Sequence, residues 1–385
     1  MIVLVTDGDS RAALELTRAL GSSGKTVFVT APERYSLAGL SRWCNGEFLQ
    51  AGADADAPRV AEAISRAAAL CSADMVVGVT DRTLTALHGA PLLASTMPPP
   101  HRDVYFAASD KTALFLAAQE AGIPVPRGLV VRAAEGLDRA AIEQLGSRWA
   151  LRPALSWRWD GHRWLHGVVR LVDDYETLER EIDSDPALRH PFLIQEVIEG
   201  DGCGLFLCAK DGKINALFSH RRMREKPPWG GVSTLCKSVA VPADLEELAR
   251  RYVEKTQWSG LAMLEFKRDR YGKPYLLEIN ARPWGSLALA RAAGVDFPAA
   301  WLSDNPADSP FDYCEDVHLR WWWGEVDHYY LREKSSGGGG VRSLMRAFLR
   351  ALTDGPRAQA WDTFRRDDPL PFVRETMGWM MRGLG

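Results

Sequence analysis

The residues with the clearest potential for chemistry lie in segment 261–286, LAMLEFKRDRYGKPYLLEINARPWGS. Apolar and polar residues alternate on both sides of a short run containing Tyr271 and Gly272, which are typical of turns. The pattern predicts a β-hairpin with one strand over residues 261–268 and a second over residues 273–283. Such a hairpin holds the polar side chains of one face close together.

Four polar residues share a face of this hairpin, because side chains alternate between faces along a strand. Glu278, Asn280 and Arg282 point the same way. Register across the turn sets Glu265 opposite Glu278, where two carboxylates repel each other unless a hard divalent cation joins them. We therefore predict a Mg²⁺ site at Glu265, Glu278 and Asn280. Arg282 beside these oxygen ligands favours a bound phosphate; the alternative is a polar face that only contacts water.

The order acid, strand, turn, strand and E-x-N-x-R resembles the metal-binding end of the ATP-grasp superfamily. The string LLEINARPWGSLALARAAGVDFP is similar to that family's segment and following helix, and the resemblance extends in order over residues 1–300. The likeness is to the carbamoyl-phosphate-synthase-like branch of predicted carboxylate–amine ligases. It implies a chain of mixed α/β and α+β class, with a Rossmann-like parallel α/β domain followed by two α+β lobes that clasp the nucleotide.

Residues 1–105 alternate apolar strands with helices, which predicts a parallel sheet covered on both sides. A dinucleotide-binding Rossmann domain has the same order, but the turn after the first strand, TDGDSR, lacks GxGxxG. Asp7, Gly8 and Asp81 lie where ligands bind in such sheets, although turn formation explains them equally well. The predicted regions are a pre-ATP-grasp domain at 1–105, a small lobe at 106–195, a large lobe with the Mg–ATP and substrate site at 196–310, and an extension at 311–385.

Composition sets limits on the remaining functions. A chain of 385 residues can form about two or three compact domains, and its formal net charge of −3 gives no reason to expect nucleic acid binding. No apolar run is long enough to span a bilayer, and the sequence starts with a strand rather than a signal peptide. The six cysteines show no metal-ligand spacing. We expect a cytoplasmic protein; a homodimer is left open.

The resemblance implies two positively charged contacts to the nucleotide phosphates. Lys111 begins a predicted helix after the possible caps Ser109 and Asp110 and matches a phosphate-binding lysine of the family. Arg152 stands where the family usually has a lysine before proline, and it keeps the charge but not the shape. The segment SWRWDGHRWLHG then replaces the family's glycine-rich loop. Arginine and histidine side chains are candidates to replace its amides: Arg158, His162 and Arg163.

A strand followed by a polar segment, PFLIQEVIEGDG, resembles the hinge that holds the adenine and ribose. By resemblance, Gln195 approaches the adenine edge, and the backbone of Glu196 and Ile198 imitates base pairing. Asp201, or Glu199, takes the ribose hydroxyls. Periodicity alone predicts only the end of a strand here.

Basic residues and glycines mark the segment 220–234, HRRMREKPPWGGVST. A basic, mobile loop beside a nucleotide can hold an anionic substrate or close over the reaction. His220, Arg222, Gly230 and Gly231 are the candidate substrate residues, with His220 and Arg222 preferred by resemblance. The alternative is a solvated loop.

The C-terminal part carries weaker signals. Residues 318–331, HLRWWWGEVDHYYL, are aromatic and predict a strand, and residues 335–340, SSGGGG, are typical of a flexible linker. Two amphipathic helices are predicted, over residues 341–353 and over the segment LPFVRETMGWMMRGL. One face of the first is apolar: Val341, Leu344, Met345, Phe348, Leu349 and Leu352. We expect this face to pack on the core rather than on a membrane surface.

The predicted function is that of an ATP-dependent carboxylate–amine ligase. Transfer of the γ-phosphoryl group of ATP to a carboxylate makes an acyl phosphate, which an amine opens to give an amide. Arg282 is the predicted catalytic residue and stabilises the transferred group. The cofactors are ATP and Mg²⁺, with Mn²⁺ as an alternative, and the partners are a small carboxylate and an amine. The alternatives are a carboxylate or carbamate kinase and a nucleotide-binding regulator without chemistry.

Overall fold

The structure is a computed structural model that describes residues 1–52, 54–90, 96–132, 137–229, 231–302 and 312–383. Its N-terminal elements are β1 (Ile2–Val5), α1 (Arg11–Ser22), β2 (Thr26–Ala31), β3 (Gly46–Leu49), α2 (Ala57–Cys71), β4 (Met75–Val77), α3 (Asp81–His88) and α4 (Arg102–Ser109). The strands form a parallel sheet in the order β3–β2–β1–β4. Ser10 begins α1 by accepting a hydrogen bond from the amide of Ala13. The predicted parallel sheet is confirmed.

A second sheet follows, from α5 (Lys111–Glu120) to β10. Its elements are β5 (Gly128–Val131), α6 (Arg139–Glu143), β6 (Trp149–Pro153), β7 (Trp157–Trp159), β8 (Trp164–His166), β9 (Arg170–Val172), α7 (Tyr175–Ser184), a 3₁₀ turn (Pro186–Arg189) and β10 (Phe192–Glu196). The sheet is antiparallel in the order β5–β10–β6–β9, and β7 and β8 form a separate hairpin. Asp110 caps α5, so Lys111 lies in the first turn of that helix as predicted.

The third sheet has seven strands and carries the predicted hairpin at one edge. Its elements are β11 (Gly200–Lys210), β12 (Lys213–Lys226), β13 (Val232–Val239), α8 (Ala243–Thr256), β14 (Gly260–Asp269), β15 (Pro274–Asn280), α9 (Leu287–Ala293), α10 (Phe297–Leu302), β16 (His318–Arg320), α11 (Trp322–Ser335), α12 (Gly340–Thr353), β17 (Ala360–Trp361) and α13 (Leu370–Gly383). The strand order is β15–β14–β11–β12–β13–β16–β17. The predicted hairpin is confirmed, although its second strand ends at Asn280 rather than at residue 283.

The prediction of a mobile loop over 220–234 is wrong for residues 220–226, which belong to a strand. β12 continues to Lys226 and pairs with β13. Arg224 forms an ion pair with Glu325, and Lys226 forms one with Asp327. These two cations therefore attach β12 to α11 and are not free for an anionic substrate.

The prediction of a strand over residues 318–331 is correct only for its first three residues. β16 ends at Arg320, and the aromatic residues after it belong to α11. The indole of Trp323 stacks on that of Trp379 with ring centroids 4.2 Å apart, and Val326 and Tyr329 are buried in the same cluster. Packing between helices thus overrides the strand propensity of these aromatic side chains.

The helix at 341–353 is confirmed, but the prediction that its apolar stripe packs on the core is wrong for most of its large side chains. α12 packs through its small residues Ser343, Ala347 and Ala351, which are buried. Leu344 packs against the cluster around Trp323, and Phe348 contacts the ring of Trp322. The other large side chains of the stripe are more than half exposed: Val341, Met345, Leu349 and Leu352. Among the described residues, no helix is both long and apolar enough to cross a membrane.

The C-terminal segment is attached to the N-terminal domain through Arg18 of α1. This guanidinium is fully buried, and its Nε donates to the carboxylate of Asp368 at 2.8 Å. It also donates to the backbone carbonyls of Asp362, Thr363 and Asp368. Residues 362–368 therefore complete the hydrogen bonding of a charge inside the N-terminal domain.

Candidate active site

Glu265 and Glu278 are direct partners in the register of β14 and β15, as the sequence predicts. Each side chain is about three-quarters buried, with 27% and 28% of its surface exposed. Burial, followed by repulsion from Glu278, raises the pKa of Glu265 above its ordinary value. Burial alone would also raise the pKa of Glu278, but nearby positive charges, with Lys111 first among them, hold it below the ordinary value. The two facing carboxylates therefore lie in different electrostatic surroundings.

Asn280 connects the two acids. Its Nδ2 lies 3.2 Å from Oε1 of Glu265 and 3.4 Å from Oε1 of Glu278, while its Oδ1 accepts a hydrogen bond from Arg282 at 3.0 Å. Coordination of a cation by the amide oxygen requires an amide flip, in which Oδ1 and Nδ2 of Asn280 exchange positions. Within the described ranges no cluster of three or more acidic, histidine or cysteine side chains could hold a metal ion.

Two cations from distant parts of the chain approach the same oxygen of Glu278. Nζ of Lys111 and Nη2 of Arg152 each lie 3.5 Å from Oε2 of Glu278, and both cationic side chains are 7% exposed. Arg152 donates through Nη1 to Gln195, and Lys111 donates to Ser156. The structure thus brings together the predicted phosphate contacts and one predicted metal ligand.

Arg282 joins the hairpin to the N-terminal domain. Its Nε donates to Oδ2 of Asp81 at 2.8 Å, and its Nη2 donates to Asn280. Thr80 caps α3 and sets Asp81 in the first turn of that helix. The sequence identifies Asp81 only as a strand-end residue, and it carries no local signal for this pairing.

The predicted substrate residues lie on the other side of the acid pair. A cavity of about 400 Å³ is lined by Glu265, Glu278, His220, Arg222 and Gly231 among other residues. Arg222 contacts Glu265 at 3.4 Å. Gly230 lies outside the described residues.

His220 is buried and neutral rather than a free charged contact. Its ring packs edge-on against Phe206, and Nδ1 lies 3.3 Å from the hydroxyl of Ser286. Nε2 is buried and has no hydrogen-bond partner among the described residues. Burial, and then the charge of Arg222, lowers the pKa of His220 to about 3. It can therefore act as a neutral wall of the cavity.

The hinge residues are less closely connected to this cluster. Gln195 is buried and accepts from Arg152, whereas the carboxylate of Glu196 accepts from the amide and Nε of Arg127. The carbonyl of Ile198 accepts from Nζ of Lys267, a lysine that the sequence analysis does not single out. Asp201 is exposed and pairs across the sheet with residue 268.

The segment that replaces a glycine-rich loop is the β7–β8 hairpin. Nε1 of Trp164 donates to the carbonyl of Ala55, so the hairpin rests on the N-terminal domain. Trp157 lines a narrow space together with Lys111, Glu278 and Asn280. Arg163 forms an ion pair with Asp160 of the same hairpin. The structure therefore sets a tryptophan, rather than the three candidate basic residues, against the acid pair.

Comparisons with known proteins concern the family motifs and the fold. Residues 189–314 match the family model described as ATP-grasp in the biosynthetic pathway with Ter operon. None of the curated proteins matches the sequence significantly. The first of the similar solved structures is L-amino acid ligase from Bacillus licheniformis, which is 14% identical, with 82% of this chain and 75% of that chain covered and a TM-score of 0.59.

Two further structures show the same similarity. N5-carboxyaminoimidazole ribonucleotide synthetase with ADP is 14% identical, with 87% and 84% of the two chains covered and a TM-score of 0.62. The biotin carboxylase domain of Hydrogenobacter thermophilus 2-oxoglutarate carboxylase, with MgADP and bicarbonate, is 16% identical, with 82% and 73% covered and a TM-score of 0.62. The resemblance of the motifs is thereby confirmed for residues 189–314, which match an ATP-grasp family model, and the chain shares its fold with these solved structures.

Proposed function

We propose that this chain is an ATP-dependent carboxylate–amine ligase that forms an amide or peptide bond through an acyl phosphate and releases ADP and phosphate. One observation carries the proposal: Glu265 and Glu278 face each other at a cavity, and Lys111 and Arg152 reach the second acid from separate elements. The ligase and synthetase names of the similar structures support it.

The donor set fits a magnesium ion. Glu265 and Glu278 supply carboxylate oxygens, and Asn280 supplies an amide oxygen once its ends are exchanged. These three residues would hold the ion beside the nucleotide phosphates, and Mn²⁺ accepts the same donors. When bound, the ion neutralises charge on the phosphates. One similar structure contains MgADP.

The first step is phosphoryl transfer. A carboxylate oxygen of the substrate forms a bond to the γ-phosphorus of ATP while the bond from this phosphorus to the β–γ bridging oxygen breaks, and ADP leaves. Lys111 and Arg152 hold the phosphates, and Arg282, fixed by Asp81, stabilises the charge on the transferred group. The adenine lies at the strand end formed by residues 195–201.

The second step opens the acyl phosphate. The neutral nitrogen of the amine attacks the acyl carbon, phosphate leaves with the electron pair of the C–O bond, and the nitrogen loses one proton to water or phosphate. Arg282 also stabilises the tetrahedral intermediate of this step. Arg222 and Gly231, which line the same cavity, contact the substrate.

The test is ADP release measured over a panel of acids, with and without amines, and with hydroxylamine to trap an acyl phosphate as a hydroxamate. We expect acid-dependent ADP release and an amide product. Glu278→Ala removes the shared partner of both cations and lowers turnover at least about a hundredfold, whereas Glu247→Gln, in an exposed ion pair on α8, leaves it unchanged. Hydroxamate without amide under any amine indicates a kinase. Nucleotide binding without ADP release indicates a regulator, and turnover that survives Glu278→Ala contradicts the proposed site.

A further inference from the structure

A second, larger cavity of about 660 Å³ lies beyond Arg282. It shares Arg11, Arg282 and Gly285 with the cavity that contains the facing acids, so the two meet at the predicted catalytic arginine. Its volume is in the range of small-molecule sites. One wall is α13, the last helix of the chain, which contributes Arg374 and Arg382.

Two charged side chains that line this cavity, Arg11 of α1 and Glu375 of α13, already have partners within the protein. Arg11 forms an ion pair with Asp362 and lies 3.9 Å from the ring centroid of Trp321. Glu375 accepts from Nε1 of Trp321 and from the hydroxyl of Thr363, both at 2.6 Å. These contacts hold both side chains in place, and the charge of Arg11 is already paired with a carboxylate.

The two arginines of α13 are different. Arg374 uses only Nε, which donates to the carbonyl of Tyr35, and its terminal nitrogens have no hydrogen bond within the described part of the chain. Arg382 has no hydrogen bond or ion pair to any described residue. Asp9 lines the same cavity. Burial raises the pKa of its carboxyl group, and the positive charge of Arg374 partly opposes this rise. Neither guanidinium has an ion-pair partner in the described part of the chain, so both are able to bind an anion at this end of the cavity.

We propose that this cavity holds the part of the acid substrate that does not react, and that Arg374 and Arg382 bind a second anionic group there, a carboxylate or a phosphate. The proposal rests on the proposed function, because that function places phosphoryl transfer to the reacting carboxylate beside Arg282. A guanidinium pair matches either anion through forked hydrogen bonds. Trp157 and Trp321 supply an aromatic wall between the two ends. The C-terminal helix therefore selects the substrate although it takes no part in phosphoryl transfer.

The experiment measures binding and turnover on the full-length protein. Glutarate and 3-phosphoglycerate, which carry a second anion, are compared with butyrate, which does not, by calorimetry in the presence of Mg²⁺ and a non-hydrolysable ATP analogue. The variants are Arg374→Gln, Arg382→Gln and their combination. Arg342→Gln on the exposed surface of α12 is the matched control.

We expect at least one of the two dianionic compounds to bind about tenfold more tightly than butyrate, and the double variant to lose that difference while the control keeps it. Preference for glutarate or for phosphoglycerate decides between a carboxylate and a phosphate. Equal binding of all three compounds, no binding of any, or a preference that survives the double variant overturns the proposal.

ADP release on the same samples separates the two proposals. If acids stimulate ADP release but glutarate and 3-phosphoglycerate bind no more tightly than butyrate, the ligase function stands and the proposed role of α13 is overturned. Discrimination that depends on Arg374 and Arg382, without ADP release from any acid, supports an anion site and contradicts the ligase. For an acid that is turned over, the variants should raise KM and leave kcat within about twofold, because they remove ground-state binding.

Discussion

Nε of Arg282 donates to Oδ2 of Asp81 at 2.8 Å, across 201 positions of the chain. This ion pair links the predicted catalytic arginine to the N-terminal domain, which otherwise contributes neither acid of the predicted metal site. Both side chains line the 660 Å³ cavity that contains Arg374 and Arg382. Arg282 also lines the cavity of the facing acids, so the ion pair lies where the two cavities meet. The orientation of the guanidinium therefore depends on a residue outside the segment that matches the family model.

Asp81→Asn should lower kcat about 10- to 100-fold with little change in nucleotide binding. The amide keeps a hydrogen-bond acceptor but removes the charge that fixes Arg282. Steady-state ADP release and calorimetry with an ATP analogue measure the two effects. The control is Asp103→Asn, an exposed acid on α4. An unchanged kcat would show that Arg282 does not need this partner.

Arg152→Lys should weaken ATP binding about tenfold, although lysine is the usual residue of the family at this position. Arg152 donates to Gln195 through one terminal nitrogen and approaches Glu278 with the other, and a single ammonium cannot reproduce this fork. The KM for ATP checks the prediction. Arg180→Lys, an exposed substitution on α7, is the control; improved binding in Arg152→Lys would contradict the fork.

Stability should fall with acid pH partly through His220. Its pKa is about 3 in the folded protein and 6.5 ordinarily, so between these values the unfolded chain binds more protons. The stability that depends on a neutral His220 is fully present above pH 6.5 and is lost as the pH falls towards 3. His220→Gln should therefore flatten the curve of unfolding free energy against pH, by about 3 kcal/mol between pH 6.5 and 4 at most.

Urea unfolding across this pH range measures the effect of His220→Gln. His162→Gln, an exposed histidine in the β7–β8 hairpin, is the control and should leave the curve unchanged. The buried His88, whose pKa burial lowers to about 4, keeps a similar acid dependence in both variants. A slope identical to wild type in His220→Gln would mean that this ring is accessible to protons.

Asp368→Ala should destabilise the protein by about 3–5 kcal/mol, because it leaves the fully buried charge of Arg18 without its carboxylate. Denaturant unfolding compares it with Asp367→Ala, whose side chain is exposed. Equal stability of the two variants would indicate that the C-terminal segment does not rest on α1 as described.

Leu349→Gln should change the free energy of unfolding by less than about 0.5 kcal/mol, since this side chain is mostly exposed. Ala351→Gln, on the buried face of the same helix, should cost about 1–3 kcal/mol through overpacking. Denaturant unfolding of both variants decides which face of α12 is packed. If Leu349→Gln destabilises the protein more than Ala351→Gln does, the large apolar side chains face the core, as the sequence predicts.

The hairpin and its facing acids are predictable from sequence because the signal is local. Alternation and turn residues indicate the hairpin, but the loop between the strands is longer than two residues, and a β-bulge after Glu265 sets this residue opposite Glu278. Lys111 and Arg152 come from other elements, and only the resemblance of their motifs indicates that they reach this acid. The partnership of Asp81 with Arg282 depends on how two domains meet, and no pattern along the chain encodes it.

The errors have physical causes in the C-terminal part. Periodicity identifies α12 as a helix, but it does not say whether large or small residues face the core; here Ala347 and Ala351 allow close approach to α11. In the basic segment, Arg222, Arg224 and Lys226 alternate with a period of two, which is a strand signal. Charge and glycine content point to a loop instead, and the ion pairs with α11 decide the outcome.

The seven-stranded sheet also affects how such proteins can diversify. The hairpin with the facing acids forms one edge of this sheet, and β17, shortly before α13, forms the other. Recombination between two related genes within residues 200–361 would therefore combine strands of one sheet from two different sequences. The recombinant protein would fold only if the side chains of these strands still packed against each other.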